Sequence, residues 1–451
     1  MKREIIKQLE EWRNNKNRKP LILSGARQVG KTWVLKEFGH LYFKNVAYIN
    51  FEEQKELYNL FKDDYNLTRI LITLNTASQI TITPGETLLI LDEIQAAEGG
   101  LTALKYFCEN MPQLHVVAAG SLLGIELHRH TSYPVGKVQQ LTMYPMNFRE
   151  FLLATGEDQL HSLLVNKHWD ILSTFSPQIK ERLKQYYFVG GMPEAVKTFI
   201  SSLNFKSVRD VQNDILLSYS RDFSKHAPKE IVPRIKALWE TIISQLAKEN
   251  KKFIYGAIRS GARAKDYELA IQWLLDCGLC YQVFNSSTIQ YPIKSVEERD
   301  IFKLFVLDVG LLAAMANIDI STFLNGNEIF IEFKGAFTEQ YVCQQLISAT
   351  KYGTPHYWRS KTGKAELDFI IQKDNYIVPI EVKAEENLQA KSLNVYISKF
   401  NPRLAIKTSM APYKDNGSII NNPLYQISEI NGNYTLFYVE TPLSPRGIVA
   451  N

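Results

Sequence analysis

PLILSGARQVGKT (20–32) is the stretch that decides the fold of the amino-terminal part of this chain. The apolar run LILS predicts a short strand, and the pattern WVLKEFGH that follows the stretch predicts a helix. Between them, Gly25 is separated by four residues from the run Gly30, Lys31 and Thr32. This spacing between a strand and a helix is typical of a phosphate-binding loop, in which glycines let backbone N–H groups turn toward phosphate oxygens.

The loop chemistry predicts a separate role for each of its last two residues. We expect the Lys31 ammonium to reach the β- and γ-phosphates of a bound nucleotide, and the Thr32 hydroxyl to bind Mg²⁺. The residues predicted to line the nucleotide are Gly25, Ala26, Arg27, Gln28, Val29, Gly30, Lys31 and Thr32. A chance match to the spacing is the alternative at this point.

A second stretch, TLLILDE (87–93), strengthens the prediction of ATP or GTP binding. Its apolar residues predict a buried strand that ends in two carboxylates: Asp92 suits the Mg²⁺ shell, and Glu93 suits the base that polarises the attacking water. The strand pattern HVVAAGS (115–121) brings Ser121 to the same sheet edge, where it could contact the γ-phosphate. Further strands are predicted in NVAYINF (45–51) and KVQQLTM (137–143). Strands that alternate with helical runs favour a parallel sheet covered on both faces.

The sequence does not decide which residue supplies the cation that would stabilise the transition state of hydrolysis. Such hydrolysis commonly uses an arginine, and Arg129 and Arg149 are candidates. Lys137 lies where related ATPases often carry an arginine. A phosphate-binding loop kept only for structure is the alternative to an active one.

Composition limits the class of protein. A chain of 451 residues with 45% hydrophobic and 22% charged residues indicates two to four globular domains. The net charge of +5 is compatible with an anionic ligand or nucleic acid. No secretory signal or membrane-length apolar run is present, so we expect a cytoplasmic protein without a membrane partner. Cys277 and Cys280 form a single CxxC without a second pair, which does not favour a zinc site.

The middle of the chain predicts a helical lid followed by a winged helix. YYFVGGMPEAV (186–196) indicates a tight turn between helices; a plain helical connector is the alternative to a lid. Residues 229–300 show an amphipathic helix, a short segment, a second amphipathic helix and two strand-like runs, LCYQVF and TIQYPI. The basic residues Arg259, Arg263 and Lys265 lie at the start of the second helix, where a helix-turn-helix contacts DNA. A solvated basic face on a packing module is the alternative.

Residues 365–384, AELDFIIQKDNYIVPIEVKA, predict a β-hairpin around the polar turn KDN. Strand alternation puts Glu381 and Lys383 on one face, and the hairpin could bring Asp368 close to them. Two carboxylates and an ammonium together suit a metal-dependent phosphodiesterase, in which Asp368 and Glu381 would hold Mg²⁺. A surface hairpin with unrelated charges is the alternative.

The combination of GARQVGKT, LLILDEIQ, the GGMPE turn, KGAFTEQYV and ELDFII…PIEVK resembles prokaryotic AAA-type ATPases with a carboxy-terminal restriction-endonuclease-like domain of the PD-(D/E)XK type. The resemblance implies an α/β multidomain fold. Its units are a P-loop AAA-type parallel-sheet core (1–155), a helical lid (156–228), a winged-helix module (229–300) and a restriction-endonuclease-like α/β domain (301–451). It also implies a nuclease-like site formed by Glu339, Asp368, Glu381, the Val382 carbonyl and Lys383.

The leading functional hypothesis is a Mg²⁺-dependent ATPase that couples nucleotide state to a DNA-directed, nucleolytic carboxy-terminal domain. The alternative is a non-cleaving ATP-dependent switch or scaffold that binds DNA or a protein partner, with homo-oligomers as a further option. A helicase-type motor is disfavoured because the sequence has no second P-loop.

Overall fold

The computed structural model describes residues 1–120, 134–248, 251–325, 331–349, 354–386, 389–417 and 419–429. None of the helices in these ranges is long and apolar enough to cross a membrane.

The amino-terminal part is built on a five-stranded parallel sheet in the order β2-β3-β4-β1-β5. The strands are β1 (Leu21–Ser24), β2 (Asn45–Asn50), β3 (Thr87–Asp92), β4 (His115–Ala119) and β5 (Gln139–Thr142). The helices of this part are α1 (Ile5–Asn14), α2 (Lys31–Tyr42), α3 (Leu67–Ser78) and α4 (Gly100–Asn110). Along β3, Leu88 and Ile90 pack into one apolar cluster, whereas Leu89 and Leu91 pack into another. Both faces of the sheet are therefore buried, which confirms the prediction of a covered parallel sheet.

A helical region follows the sheet, as the sequence predicts. Its helices are α5 (Phe148–Ala154), α6 (Asp158–Val165), α7 (Trp169–Thr174), α8 (Ser176–Val189), α9 (Pro193–Ser202) and α10 (Phe205–His226). The turn between α8 and α9 needs its two glycines: Gly190 has a φ of +72°, and a Cβ on Gly191 would lie 2.0 Å from the Met146 oxygen. Pro193 then starts α9, at a position where its missing N–H costs no helical hydrogen bond.

The middle module contains α11 (Val232–Leu246), a 3-10 turn (Tyr255–Ala257), α12 (Ala264–Asp276) and the antiparallel strands β6 (Cys280–Asn285) and β7 (Glu298–Val306). The predicted second strand TIQYPI (288–293) is wrong, because β6 pairs with the later segment β7. Pro292 has no N–H to donate to a strand ladder, and a short 3-10 helix, Ile293–Val296, follows it. Residue 300, the expected module boundary, lies inside β7.

The carboxy-terminal part continues the same sheet. Its strands are β8 (His356–Arg359), β9 (Glu366–Lys373), β10 (Tyr376–Val382), β11 (Ala405–Ser409), β12 (Lys414–Asp415) and β13 (Ile419–Pro423). Its helices are α13 (Val309–Met315), α14 (Ile320–Asn325), α15 (Ile331–Ala349) and α16 (Lys391–Phe400). The eight strands run in the order β12-β13-β11-β10-β9-β8-β6-β7, and β9 and β10 form the predicted hairpin. The β6–β7 hairpin is thus an extension of the carboxy-terminal sheet.

Helices α15 and α16 pack on opposite faces of this sheet. Phe337 of α15 shares an apolar cluster with Phe369 and Ile380, whereas Leu393 of α16 shares another with Leu367 and Ile377.

Candidate functional site

The phosphate-binding loop lies between β1 and α2, and two of its glycines are required by the backbone. Gly25 has a φ of +140°, and a Cβ there would lie 2.2 Å from the carbonyl oxygen of Met143. Gly30, with a φ of +93°, immediately precedes α2. Both glycines therefore occupy positions where a side chain would be strained. The loop backbone between them ends at the amino end of α2, where N–H groups can bind a phosphate.

Lys31 is held inside the loop. Its Nζ donates hydrogen bonds to the carbonyl oxygens of Gly25 (2.8 Å) and Ala26 (2.9 Å). Burial lowers the pKa of Lys31 to about 8, and the nearby carboxylates of Glu93 and Asp92 oppose this shift. A phosphate at the loop would give this buried ammonium the anionic partner that the backbone carbonyls only partly replace.

Thr32 and Asp92 meet at the end of β3. Thr32 Oγ1 donates a hydrogen bond to Asp92 Oδ2 at 2.7 Å, and the Tyr48 hydroxyl donates to the same oxygen at 3.0 Å. Burial and the charge of Asp92 raise the pKa of Tyr48 well above its ordinary value, so it stays a neutral donor. A hydroxyl and a carboxylate this close fit the hard oxygen ligands that Mg²⁺ prefers. Sequence reasoning missed Tyr48, although its strand β2 pairs directly with β3.

Glu93 follows Asp92 in a left-handed backbone conformation, with a φ of +50°. Because of this conformation, the Glu93 side chain does not follow the alternation of side chains along β3. The Glu93 carboxylate accepts a hydrogen bond from Gln95 Nε2. The carboxylate is also close enough to Lys31 to influence its pKa. Glu93 therefore lies near Lys31, with its carboxylate held by Gln95. Sequence reasoning did not identify Gln95, for which the adjacent LDEIQ pattern was an available signal.

Arg27 contacts the helical region, although the sequence assigned it to the nucleotide. Its guanidinium forms an ion pair with Asp222 of α10 and lies 3.8 Å from Glu52. The Tyr219 hydroxyl, also from α10, donates to the Arg27 carbonyl oxygen at 2.9 Å. Arg3 Nη1 donates to the Val29 carbonyl oxygen at 2.9 Å. Segments distant in sequence therefore hold the phosphate-binding loop from two sides.

Two candidates for the transition-state cation form ion pairs with acidic side chains. Arg149 forms an ion pair with Glu4. Lys137 lies 2.9 Å from Glu109 in an exposed pair. Ser121 and Arg129 lie outside the described residues.

In the carboxy-terminal part, the structure brings Glu339 and Asp368 together on the α15 side of the sheet. Lys251 Nζ forms an ion pair with Glu339, and Lys303 Nζ lies 3.7 Å from the other Glu339 oxygen and 2.6 Å from Glu366. Burial, followed by the charge of Glu339, raises the pKa of Asp368 to about 8. The Glu339 pKa is lowered, because the charges of Lys251 and Lys303 outweigh its burial. Two ammonium groups therefore compensate this acidic pair.

Glu381 and Lys383 point to the other face. Glu381 Oε1 lies 2.8 Å from Lys383 Nζ, and its Oε2 accepts a hydrogen bond from the Leu393 N–H at the start of α16 (3.1 Å). Asp368 Oδ2 instead accepts from the Val382 N–H at 2.8 Å. A register shift between β8 and β9 gives β9 one extra residue between Leu367 and Ile370; such a bulge reverses the side-chain alternation.

This arrangement does not fit a divalent cation shared by Asp368 and Glu381. Across the described ranges, no group of three or more His, Cys, Asp or Glu side chains is placed to hold a metal ion. The two carboxylates that the predicted hairpin could bring together lie on opposite sides of the sheet.

The predicted DNA-contacting residues lie at the surface of the middle module. Arg259, Arg263 and Lys265 are all exposed, around the 3-10 turn and the first residues of α12. Lys251, from the same basic stretch of sequence, points inward to Glu339. The sequence pattern could not separate the inward lysine from the exposed ones.

Comparison with known protein families agrees with the phosphate-binding loop described above. A family model described as an AAA domain matches residues 17–152. The amino-terminal part is a P-loop AAA ATPase domain. Two further models, described as domains of unknown function DUF8612 and DUF4143, match residues 180–322 and 334–427. A comparison with curated proteins gives no match.

Several solved structures resemble this chain at low identity. A Walker-type ATPase of Pyrococcus abyssi is 15% identical, with 69% of this chain and 95% of that chain covered and a TM-score of 0.45. The Orc1 protein of Aeropyrum pernix, solved in complex with DNA, is 13% identical, with 71% and 93% covered and a TM-score of 0.26. A STAND protein of Pyrococcus horikoshii with a tetratricopeptide repeat sensor is 13% identical, with 76% and 45% covered and a TM-score of 0.26.

Proposed function

We propose that this protein is a Mg²⁺-dependent ATP-hydrolysing switch that couples its nucleotide state to a DNA-directed carboxy-terminal part. The observation that carries the proposal is the convergence of Lys31, Thr32, Asp92 and Glu93 at the ends of β1 and β3. These groups supply, in one place, a phosphate-binding cation, oxygen ligands for Mg²⁺ and a carboxylate base.

Each group has a defined part in hydrolysis. The loop N–H groups and the Lys31 ammonium bind the β- and γ-phosphates, and Tyr48 keeps the Asp92 carboxylate oriented. When bound at Thr32 and Asp92, Mg²⁺ would neutralise phosphate charge. Glu93, oriented by Gln95, accepts the hydrogen bond of the attacking water and polarises it.

Two sets of contacts support transmission of the nucleotide state. The first joins α10 to the phosphate-binding loop. It consists of the ion pair of Asp222 with Arg27 and the hydrogen bond that the Tyr219 hydroxyl donates to the Arg27 carbonyl oxygen. The second begins at Gly191, whose N–H donates to Asp308 Oδ2 at 2.7 Å. The same Asp308 oxygen accepts from Gln344 of α15 at 3.0 Å.

A neighbouring contact joins α15 to α5, the first helix of the helical region. Gln345 Oε1 of α15 accepts a hydrogen bond from the Phe148 N–H at 2.9 Å, and both groups are buried. Because buried polar groups need their partners, a shift of the Gly191 turn or of α5 would be transmitted to α15.

For the carboxy-terminal part, the contacts favour a non-cleaving role over a nucleolytic one. We interpret the module from α11 to β7 as a winged helix, and the described residues that follow it as a restriction-endonuclease-like domain. The exposed Arg259, Arg263 and Lys265 support contact with DNA phosphates. Cleavage would require Asp368 and Glu381 to share a metal, whereas Lys251 and Lys303 compensate the charge on the Asp368 side and Lys383 pairs with Glu381.

The proposal is tested by measuring duplex DNA binding in the presence of Mg²⁺ with ADP or with a non-hydrolysable ATP analogue. We expect the two nucleotides to give different dissociation constants by fluorescence anisotropy, with no cleavage of the DNA. Replacing Arg259, Arg263 and Lys265 with Ala should reduce the log–log salt slope by about 0.9 for each DNA phosphate that the variant no longer neutralises.

The matched control replaces Lys361 and Lys364, two exposed lysines of the β8–β9 loop, with Ala. This variant should keep the wild-type slope. Equal affinities with both nucleotides would refute the coupling, and an unchanged slope in the triple variant would refute the assigned DNA surface.

A further inference from the structure

A cavity of about 730 Å³ lies between the start of α16, strand β11 and the segment that leads to β13. The lining residues that bear on a ligand are Lys391, Lys407, Pro412, Tyr413, Lys414 and Asn421. This volume is in the range of small-molecule sites, about 300–1,000 Å³. The cavity is on the α16 side of the sheet, opposite the Glu339 and Asp368 pair.

The lining is strongly basic. It includes Lys391, Lys407 and Lys414, and no acidic residue is among the lining residues. Lys407 is 5% exposed, and Lys391 and Lys414 are exposed at the surface. Burial lowers the pKa of Lys407, and the positive charges of Lys383 and Lys414 act in the same direction against the charge of Glu381. Glu381 offsets part of the positive charge around Lys407, and an anion in the cavity would offset more of it.

The wall of the cavity formed by Ala411, Pro412 and Tyr413 is held in place by contacts within the protein. Asn421 is 2% exposed, and its Nδ2 donates to the carbonyl oxygens of Ala411 (3.1 Å) and Pro412 (2.7 Å). The Tyr413 ring stacks on Trp169 of α7, with 4.2 Å between ring centroids and 10° between planes. A wall held in this way lowers the entropy cost of ligand binding.

The same wall provides an apolar surface beside the lysines. Pro412 and Tyr413, with Ala390, Ala411 and Ile419, line the cavity together with the three ammonium groups. The combination suits a ligand with a phosphate at one end and a flat, weakly polar ring system next to it. A duplex is too wide for such a cavity, since its two strands would have to enter together.

We propose that this cavity binds a nucleoside phosphate, with the phosphate against Lys407, Lys391 and Lys414 and the base against Pro412 and Tyr413. The inference deepens the DNA-directed role proposed above and rests on it. The phosphorylated nucleoside has two sources, a free nucleotide or the terminal nucleotide of a strand.

The test uses the full chain with saturating Mg²⁺ and ADP, which keeps the phosphate-binding loop occupied. The probes are a fluorescent tetrathymidylate with a terminal phosphate, the same oligonucleotide without it, and unlabelled thymidine monophosphate as competitor. We expect the phosphorylated probe to bind more tightly than the unphosphorylated one. The double variant Lys391→Ala/Lys414→Ala should weaken its binding about tenfold or more, the effect of removing one charge-assisted hydrogen bond.

Two further variants keep the test decisive. Lys407→Met removes the buried charge, and Lys361→Ala/Lys364→Ala is the control with two exposed lysines removed from another loop of the same part. Competition by thymidine monophosphate would identify the free nucleotide as a sufficient ligand, and its absence would assign the cavity to a strand end. The proposal is overturned if the phosphate makes no difference, or if the cavity variants bind as the control does.

The outcome also separates this inference from the DNA-directed role. If the cavity variants bind normally while the Arg259, Arg263 and Lys265 variant loses duplex affinity, only the cavity proposal fails. If neither set of variants changes nucleic-acid binding, both proposals fail.

Discussion

Replacing Lys251 with Met tests the structural basis of the non-cleaving interpretation. Lys251 forms an ion pair with Glu339, and the two side chains are only 13% and 9% exposed. Removing one partner of a buried pair costs about 3–5 kcal/mol, because the other charge loses its compensation. Lys303 Nζ remains 3.7 Å from Glu339, so we expect Lys251→Met to cost about 3 kcal/mol in unfolding free energy, at the lower end of that range.

The assay is thermal melting of the full chain with and without Mn²⁺. For a cooperative unit of about 150–250 residues, this loss corresponds to a decrease of roughly 6–12 °C in Tm. The control Lys248→Met removes the same charge from an exposed position nearby and should leave Tm within about 2 °C, as surface substitutions usually do.

The metal dependence of the melting then decides between the two roles. Since Lys251 and Lys303 supply the positive charge beside Glu339, Mn²⁺ should give the same shift in the wild type and in Asp368→Asn. A metal held by Asp368 would stabilise the wild type by about 2.7 kcal/mol at 100 times its Kd, and Asp368→Asn would abolish that stabilisation. Such a difference, or a Lys251→Met variant as stable as its control, would refute the reasoning.

Three further predictions concern the phosphate-binding loop. Burial lowers the Lys31 pKa to about 8, so ATP binding above that pH requires Lys31 to take up a proton. The affinity for ATP, measured by titration with a fluorescent analogue, should therefore not change with pH below about pH 7.5. Above about pH 8 it should fall by up to about tenfold per pH unit. Lys31→Arg, if it binds, should lose this slope. Tyr48→Phe removes one donor to Asp92 and should raise the Mg²⁺ concentration needed for half-maximal hydrolysis about threefold to tenfold, the effect of one hydrogen bond. Asp222→Asn breaks the ion pair with Arg27 and should change ATP affinity without loss of fold by circular dichroism, whereas an unchanged affinity would show that α10 does not influence the loop.

The parts of the fold that depend on neighbouring residues could be predicted from the sequence. The strand, loop and helix around Gly25 and Gly30 follow one another directly, and the buried run before Asp92 has the length and composition of a central strand. The β9–β10 hairpin is equally local. In these segments the residues that determine the backbone conformation lie next to one another in the sequence.

The parts that failed depend on contacts between distant segments. The pairing of β6 with β7 skips the apolar segment TIQYPI, and no local pattern gives this register. The hairpin does not bring Asp368 to the face of Glu381, because β9 carries an extra residue opposite β8. The ion pair of Lys251 with Glu339 joins residues 88 positions apart, and an exposed lysine would look the same in the sequence.

The central claim, that Glu93 activates water for hydrolysis of a nucleotide bound at Lys31, is tested most directly by comparing wild type with Glu93→Gln. Phosphate release and binding of a fluorescent ATP analogue are measured on the same samples with Mg²⁺, and Lys31→Ala provides the control without nucleotide binding. We predict that Glu93→Gln binds ATP like the wild type and loses turnover by about 10²–10⁴-fold, the usual contribution of a general base. Hydrolysis by Glu93→Gln at the wild-type rate would contradict the account.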